Sequence, residues 1–196
     1  MKRVLSYLGM IFLSIILWTN CTDTSNTKAD ASSTAKEAPD PLERGKYLVG
    51  IIGCGDCHTP KKMTDMGPVP DFDRLLMGFP AEAKLPAINK SEITPGKWVL
   101  FAGDLMAAVG PWGISYAANL TPHDSGIGTW SFEQFKRAMT EGKHKGLENG
   151  RPVLPPMPWQ SYREMSDQDL EAIYTYLMSI KPIENVVPTV VAPGEI

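Results

Sequence analysis

Two cysteines followed by a histidine form the stretch of this sequence best suited to chemistry. Residues 54–58 read CGDCH, and two cysteines separated by two residues, with a histidine directly after them, are typical of attachment of a c-type haem. On a helix the thiols of Cys54 and Cys57 lie about one turn apart, so both can form thioether bonds to the vinyl groups of one porphyrin. The imidazole of His58 then binds the iron. The motif therefore predicts one covalent haem c.

Two other uses of paired cysteines make demands that the sequence does not meet. A structural zinc site needs a second pair of ligands at similar spacing, and the third cysteine of the chain is the distant Cys21. A redox dithiol with this spacing accompanies a βαβ pattern, which the sequence does not show. Haem attachment is the interpretation that the motif favours.

The second axial position of the iron decides between electron transfer and ligand chemistry. Met157 is the leading candidate among the ten methionines, because the prolines that flank it fix the backbone and would hold a flexible thioether in place. Met106 and Met66 are the substitutes. His123, in a predicted turn, and His144, in a predicted exposed loop, would serve in a bis-histidine haem.

The first residues of the chain have the composition of an export signal. Lys2 and Arg3 precede an apolar run at 4–18, which is short for a membrane span and suits a secretory signal. We therefore expect residues 1–20 to be a signal peptide. Export agrees with the haem motif, because haem is attached to it outside the cytoplasm.

Cys21 directly follows this signal and has no intrachain disulfide partner once the haem cysteines are committed. Residues 17–21 resemble a bacterial lipoprotein signal, in which the cysteine is lipidated, although Trp18 and Asn20 depart from the small residues favoured there. Cleavage elsewhere and an uncleaved apolar anchor are the alternatives. Residues 21–41 are polar and would form a flexible linker between a membrane and the folded domain.

The charge balance of the chain is acidic. It holds 19 lysines and arginines against 22 aspartates and glutamates, and loss of a signal containing Lys2 and Arg3 would leave it more acidic. This balance argues against nucleic acid as a partner. The predicted partners are redox proteins and a membrane.

Three helices are expected to position the haem motif. An opening helix at 41–53 has apolar residues at helical spacing, and Gly45 and Gly50 would allow another helix to cross it closely. The expected partner is a last helix at 166–180, with Ser166 as N-cap. A third helix begins at a capping box in which Ser131 precedes Gln134 by three residues; it buries Met139 and stops at Gly142.

The region between the haem motif and the third helix is rich in proline and reads as loops. Residues 98–102 form a plausible strand, and residues 104–109 a strand or a helical turn. An insert of this length inside a compact domain is usually functional, and a porphyrin would give it something to enclose. Residues 186–196 are expected to form an extended C-terminal tail.

Several further motifs complete a family resemblance that spans about residues 42–188. Together with the haem motif and Thr59 they resemble class I c-type cytochromes, and more narrowly single-haem relatives of the cytochrome domains in multihaem dehydrogenase subunits. The motifs are RGKYL at 44–48, NLTP at 119–122, GIGTW at 126–130, MPW at 157–159, MSDQDL at 165–170 and AIYTYL at 172–177.

The resemblance implies a mostly α cytochrome c fold over residues 42–185, with helices packed around one haem and the first and last helices crossing. It also implies His58 as proximal ligand, Met157 as distal ligand, and an electron carrier rather than a catalyst. Two features depart from the family: a single haem motif is present, and the insert after it is longer than in minimal cytochromes.

The sequence thus predicts one-electron transfer between protein partners, a dehydrogenase as donor and an oxidase or another cytochrome as acceptor. Tryptophans at 98, 112, 130 and 159 would shield the haem, and Lys61 and Lys62 read as solvated charges that could steer a partner. One alternative is a haem enzyme or small-ligand-binding protein with an open sixth position. Another is a fixed electron-transfer subunit of a dehydrogenase or oxidase complex.

Overall fold

The computed structural model describes residues 40–196, in which helices lie toward both ends and strands between them. The four α-helices are α1 Pro41–Ile51, α2 Cys54–His58, α3 Phe132–Thr140 and α4 Asp167–Ser179. The five strands are β1 Lys61–Thr64, β2 Gly67–Pro70, β3 Leu100–Phe101, β4 Ala107–Gly110 and β5 Gly113–Tyr116. The predicted signal peptide, Cys21 and all but the end of the predicted linker lie outside the described residues.

Side-chain caps begin the three longer helices where the sequence indicates. The Asp40 carboxylate accepts from the Leu42 amide at 3.1 Å and the Ser166 hydroxyl from the Asp169 amide at 3.2 Å. The capping box of α3 forms in both directions, because the Ser131 hydroxyl accepts from the Gln134 amide while the Gln134 side chain accepts from the Ser131 amide. All three predicted helices are confirmed, each one or two residues shorter than predicted at its C-terminal end.

α1 and α4 cross in direct backbone contact at Gly45. A Cβ at this position would overlap the carbonyl oxygen of Ala172, so only glycine allows the approach. The crossing predicted from the sequence is therefore confirmed at Gly45. The prediction that Gly50 also allows a close helix crossing is wrong, because no atom of another element lies within 4 Å of a Cβ built there. Across the crossing, Arg44 Nε donates to Asp169 Oδ1 at 2.9 Å, and this hydrogen bond lowers the pKa of Asp169.

The main core forms where α1 and α4 meet α3 and the segments around Leu76 and Ile127. Met139 is buried in it, as predicted. Burial of this much aliphatic and aromatic surface is the principal favourable term for the fold. The buried members of the main core are Leu48, Val49, Leu76, Ile127, Phe135, Met139, Leu170, Ile173 and Leu177.

The region between α2 and α3 contains more regular structure than its proline content suggests. β1 and β2 form an antiparallel hairpin, and β3, β4 and β5 form a second antiparallel sheet. Pro68 and Pro70 fit in β2 because a two-stranded hairpin consists of edge strands. The strand predicted at 98–102 is reduced to Leu100–Phe101, and the segment left open as strand or helical turn forms β4.

The predicted extended tail packs against the second sheet as far as residue 192, but residues Pro193–Glu195 form a 3-10 helix instead. Val191 and Ile114 exchange backbone hydrogen bonds of 2.9 and 3.2 Å, which attach the tail to β5. Buried Asn185 donates from its amide to the carbonyls of Met77 and Phe79 and accepts from the Ala81 amide. Across residues 40–196, the helices are too short or too polar to span a bilayer.

Candidate functional site

The haem motif forms a short helix of its own. Gly53, with a left-handed φ of 73°, separates α2 from α1. Cys54 and Cys57 lie about one turn apart on α2, and both are partly buried free cysteines. The spacing presents two thiols to one ligand, as attachment of a porphyrin requires.

The environment of the thiols is unlike that of a redox dithiol. Burial raises the pKa of Cys54 to about 11 and also raises the pKa of Cys57, whereas reactive cysteines have a lowered pKa. Within residues 40–196 no group of three or more His, Cys, Asp or Glu side chains is placed to hold a metal ion. The raised thiol pKa values therefore do not favour a redox dithiol.

The ring of His58 is fixed by a backbone carbonyl. Its Nδ1 lies 2.7 Å from the carbonyl oxygen of Ala118, and since a carbonyl oxygen only accepts, Nδ1 must carry the proton. Nε2 then has the lone pair that a metal needs. Burial lowers the pKa of His58, which favours the same neutral ring. Fixing one nitrogen in this way is typical of metal-binding histidines.

The Ala118 carbonyl is itself held by an unusually close backbone approach. Gly78 donates to the His58 carbonyl at 2.9 Å, and Phe79 donates to the Ala117 carbonyl at 2.9 Å. A Cβ on Gly78, whose φ is +78°, would lie 2.5 Å from the carbonyl carbon of Ala118. Residues 76–79 can therefore support the histidine only because a glycine occupies position 78.

Three methionines proposed from the sequence as axial ligand lie in different surroundings. Met157 is partly buried and packs against the main core, as Cys54 does. Met106 is 1% exposed but packs in a separate cluster with Phe79. Met66 is 95% exposed, in the turn between β1 and β2. Of the three, Met157 alone packs against the same core as Cys54.

The two remaining histidines have other environments. His123 Nδ1 lies 2.8 Å from the Ser125 hydroxyl in a local turn. His144 is partly buried rather than exposed, which corrects the prediction of a solvated loop. Burial and the nearby charge of Arg151 lower the pKa of His144. The burial arises because residues 143 and 152 form a β-bridge beside it.

Several side chains differ from the roles predicted for them. Trp98 is 66% exposed and cannot exclude water, whereas Trp112 donates from its indole nitrogen to Ser115. Lys61 caps α2 by donating to the carbonyls of residues 55, 56 and 59. Lys62 pairs with the carboxylates of residues 71 and 73. Lys61 is therefore engaged in the fold, because the β1–β2 hairpin folds back on the motif, whereas Lys62 keeps a 54% exposed side chain and is solvated as predicted.

Two side chains of this region carry no signal in the sequence. Tyr162 lies close to the motif: burial raises its pKa, with smaller contributions from Cys54 and Cys57. Ser115 is buried and donates to the carbonyl of Pro155 at 2.6 Å. Tyrosines and serines are common in ordinary cores and turns, so only the fold reveals these positions.

Comparison with known proteins decides the family. The sequence profile of the family described as cytochrome c matches residues 42–181. The chain belongs to the cytochrome c family. The match confirms the resemblance inferred from the motifs, and with it a cytochrome c fold and the expectation of an electron carrier rather than an enzyme. The four helices and the α1–α4 crossing fit that fold.

Relatives of this cytochrome are parts of dehydrogenases. It is 43% identical over 79 residues to a nicotinate dehydrogenase subunit of Pseudomonas putida, covering 40% of this chain and 6% of that protein. It is 42% identical over 79 residues to the gluconate 2-dehydrogenase cytochrome c subunit of Pantoea cypripedii, covering 40% and 17%. It is 34% identical over 152 residues to the cytochrome c subunit of the quinone alcohol dehydrogenase of Gluconobacter oxydans, covering 76% and 24%. The cytochrome thus spans a quarter or less of the length of these relatives.

The family implies a covalently bound haem c, and the residues of this cytochrome fit that group. Cys54 and Cys57 supply two free thiols on one helix. His58 has its Nδ1 proton committed to Ala118, so Nε2 is the nitrogen that would bind iron. Met157 supplies a soft sulfur beside the same core.

Proposed function

We propose that this cytochrome transfers single electrons through one haem c, attached by Cys54 and Cys57, with His58 and Met157 as axial ligands. The observation that carries the proposal is the hydrogen bond from His58 Nδ1 to the Ala118 carbonyl, since it orients the ring and directs the Nε2 lone pair to a metal. The packing of Met157 against the core that also contacts Cys54 supports Met157 as the sulfur ligand.

A haem ligated by histidine and methionine exchanges one electron between ferric and ferrous iron, and the methionine raises its reduction potential. The protein contributes fixed ligands and a dry site. The Ala118 carbonyl orients the imidazole, the flanking prolines restrict the backbone of Met157, and the main core, against which Cys54 and Met157 pack, would limit access of water. Because both ligands are held in place, little rearrangement would accompany electron transfer.

The names of the relatives favour a site of action beside a dehydrogenase. Two of them are cytochrome c subunits, of gluconate 2-dehydrogenase and of quinone alcohol dehydrogenase. We infer a dehydrogenase as electron donor and an oxidase or another cytochrome as acceptor. A fixed subunit would co-purify with its dehydrogenase from a solubilised membrane, whereas a diffusing carrier would separate from it.

The N-terminal residues favour action outside the cytoplasm, at the periplasmic side of a bacterial membrane. The proposal is that residues 1–20 direct export, that Cys21 is lipidated, and that residues 21–41 tether the haem domain. Intact mass measurement of the mature protein tests it directly. A lipid on Cys21 that is lost in Cys21→Ser, together with release of the protein from membranes, is expected; a mature chain that begins elsewhere without lipid contradicts it.

An open sixth position is the competing function, since it would allow a haem enzyme or a sensor of small ligands. The packing of Met157 against the main core, beside Cys54, weighs against it. Carbon monoxide binding to the reduced protein separates the two: slow or absent binding agrees with methionine ligation, and rapid binding at neutral pH agrees with an open iron.

The decisive test compares the holoprotein with Met157→Ala and a matched control, Met106→Leu. Met106 is buried in a different cluster, so its replacement tests for a general effect of losing a core methionine. Met157→Ala is expected to lose the long-wavelength absorption band of methionine-ligated ferric haem and to have a much lower reduction potential. Met106→Leu should keep both. An unchanged spectrum in Met157→Ala would remove the ligand assignment.

A further inference from the structure

The segment that carries Met157 has few hydrogen-bond donors of its own. Prolines at 155, 156 and 158 lack an amide proton, so the segment cannot be held by the regular backbone pairing that secures a strand. Among the hydrogen bonds of residues 40–196, only one joins residues 154–157 to another element. In that bond the hydroxyl of Ser115 on β5 donates to the carbonyl of Pro155 at 2.6 Å.

The Ser115 hydroxyl is oriented toward this acceptor by its surroundings. The side chain is buried, and the alternative acceptor, the Ala108 carbonyl, lies farther away at 3.4 Å. Trp112 Nε1 donates to the same oxygen at 3.3 Å, which occupies a lone pair and strengthens the hydroxyl as a donor. The single hydroxyl proton is therefore directed at Pro155, two residues before Met157.

Three residues beyond Ser115, the same stretch of chain supports His58. Ala118 accepts the Nδ1 proton of His58 at 2.7 Å. Between these two contacts, the Ala117 amide donates to the Met106 carbonyl at 2.8 Å, which ties the stretch to the second sheet. Residues 115–118 thus contact the segments of both proposed axial ligands.

We propose that Ser115 is a positioning residue for Met157: its hydroxyl fixes the proline-rich segment so that the methionine sulfur stays on the iron. This inference rests on the proposed function, in which Met157 is an axial ligand. Without the hydrogen bond the segment loses its one polar link to the sheet. Met157 would then leave the iron more often, and an external ligand would compete more successfully for the position.

The test measures imidazole binding to the ferric holoprotein, which requires departure of Met157. In Ser115→Ala the apparent affinity for imidazole should rise by about three- to tenfold, the factor expected for one hydrogen bond of ordinary strength, and the methionine band should weaken. Ser115→Thr keeps the hydroxyl and should restore both values. Ser179→Ala is the matched control, because that hydroxyl donates to the Tyr176 carbonyl at 2.7 Å at the end of α4.

A second variant makes the test independent of how well Ser115→Ala folds. Trp112→Phe removes the donor to the Ser115 oxygen together with part of the ring that packs on Gly110, and should shift imidazole affinity in the same direction by a smaller factor. If the methionine band is lost in Met157→Ala, Met157 is the ligand. Parent-like imidazole affinity and band intensity in both Ser115→Ala and Trp112→Phe would then overturn the role of Ser115 without affecting that assignment. A parent band that survives Met157→Ala would overturn the ligand assignment and the role of Ser115 together.

Discussion

Replacing Gly45 by alanine is predicted to disrupt the crossing of α1 and α4. A Cβ at this position would overlap the Ala172 carbonyl oxygen, and it would lie 2.5 Å from the carbonyl carbon of Ala172 and 2.9 Å from Cβ of Tyr176. None of these atoms is the end of a flexible side chain. The two helices would therefore have to move apart to accept a single methyl group.

The size of the effect follows from opposing contributions. An alanine in place of glycine stabilises a helix interior by about 0.5–1 kcal/mol, and overpacking a core costs about 1–3 kcal/mol. Separation of the helices also exposes apolar surface of Leu48 and Leu170 at about 25 cal/mol per Å², so each 40 Å² or so adds about 1 kcal/mol. With about 40–80 Å² exposed in this way, we expect Gly45→Ala to lower the free energy of unfolding by about 1–4 kcal/mol.

Guanidinium chloride unfolding of the holoprotein, followed by circular dichroism, measures this change. Gly50→Ala is the matched control, because it lies on the same helix with no atom within 4 Å of its Cβ. It should raise the free energy of unfolding by about 0.5–1 kcal/mol. Similar values for the two variants, or a stabilised Gly45→Ala, would refute the close crossing.

Three further changes test other parts of the fold. The ion pairs of Asp71 lower its folded-state pKa below the usual 3.8, so its contribution to stability is present above pH 3.8 and is lost as the pH falls through the folded-state pKa. Asp71→Asn should therefore be less stable at neutral pH, and its free energy of unfolding should depend less on pH in the acid range. Parallel curves of unfolding free energy against pH for the parent and the variant would contradict this. Asn185→Ala leaves three backbone groups without their partner and should lose about 2–4 kcal/mol in thermal or denaturant unfolding, whereas a loss within error would show that these bonds contribute little. Ser131→Ala removes the capping box of α3 and should cost about 1 kcal/mol; Ser131→Thr, which keeps the hydroxyl, should cost much less.

Local signals in the sequence were sufficient to place the helices. The caps at Ser131 and Ser166 and the apolar spacing of the last helix depend on neighbours within a few positions, and they predicted α3 and α4 closely. Gly45 was identifiable as a crossing point, but the sequence could not distinguish it from Gly50. The difference lies in which face of α1 meets α4, and both glycines fit a helix equally well.

The haem motif was identifiable because its chemistry requires particular residue types. The groups that hold His58 in place could not be identified from the sequence. The partner of His58 is the backbone carbonyl of Ala118, and every residue carries such a carbonyl. Gly78 is required by contact with a segment 40 positions away in the chain, which no local pattern reveals. The same holds for Ser115, whose role depends on the pairing of β4 with β5.

The region between α2 and α3 was the least predictable part of the fold. Its prolines suggested loops, yet the β1–β2 hairpin forms because neither of its strands is central in a sheet, and β4 and β5 contain no proline. Trp98 was expected to shield haem but is 66% exposed, since only the two residues Leu100–Phe101 of its segment join the sheet. The aromatic side chain of Trp98 suggested burial, but Trp98 lies outside the short paired strand and stays exposed.

The most direct test of the central proposal is the NMR spectrum of the reduced holoprotein with its methionine methyl groups labelled. A methionine bound to haem iron lies over the porphyrin ring, so its methyl resonance is shifted strongly upfield by the ring current. One such resonance is predicted, present in the parent and in Met106→Leu and absent in Met157→Ala. A spectrum without a shifted methyl, or a shifted methyl that persists in Met157→Ala, would contradict methionine ligation by Met157.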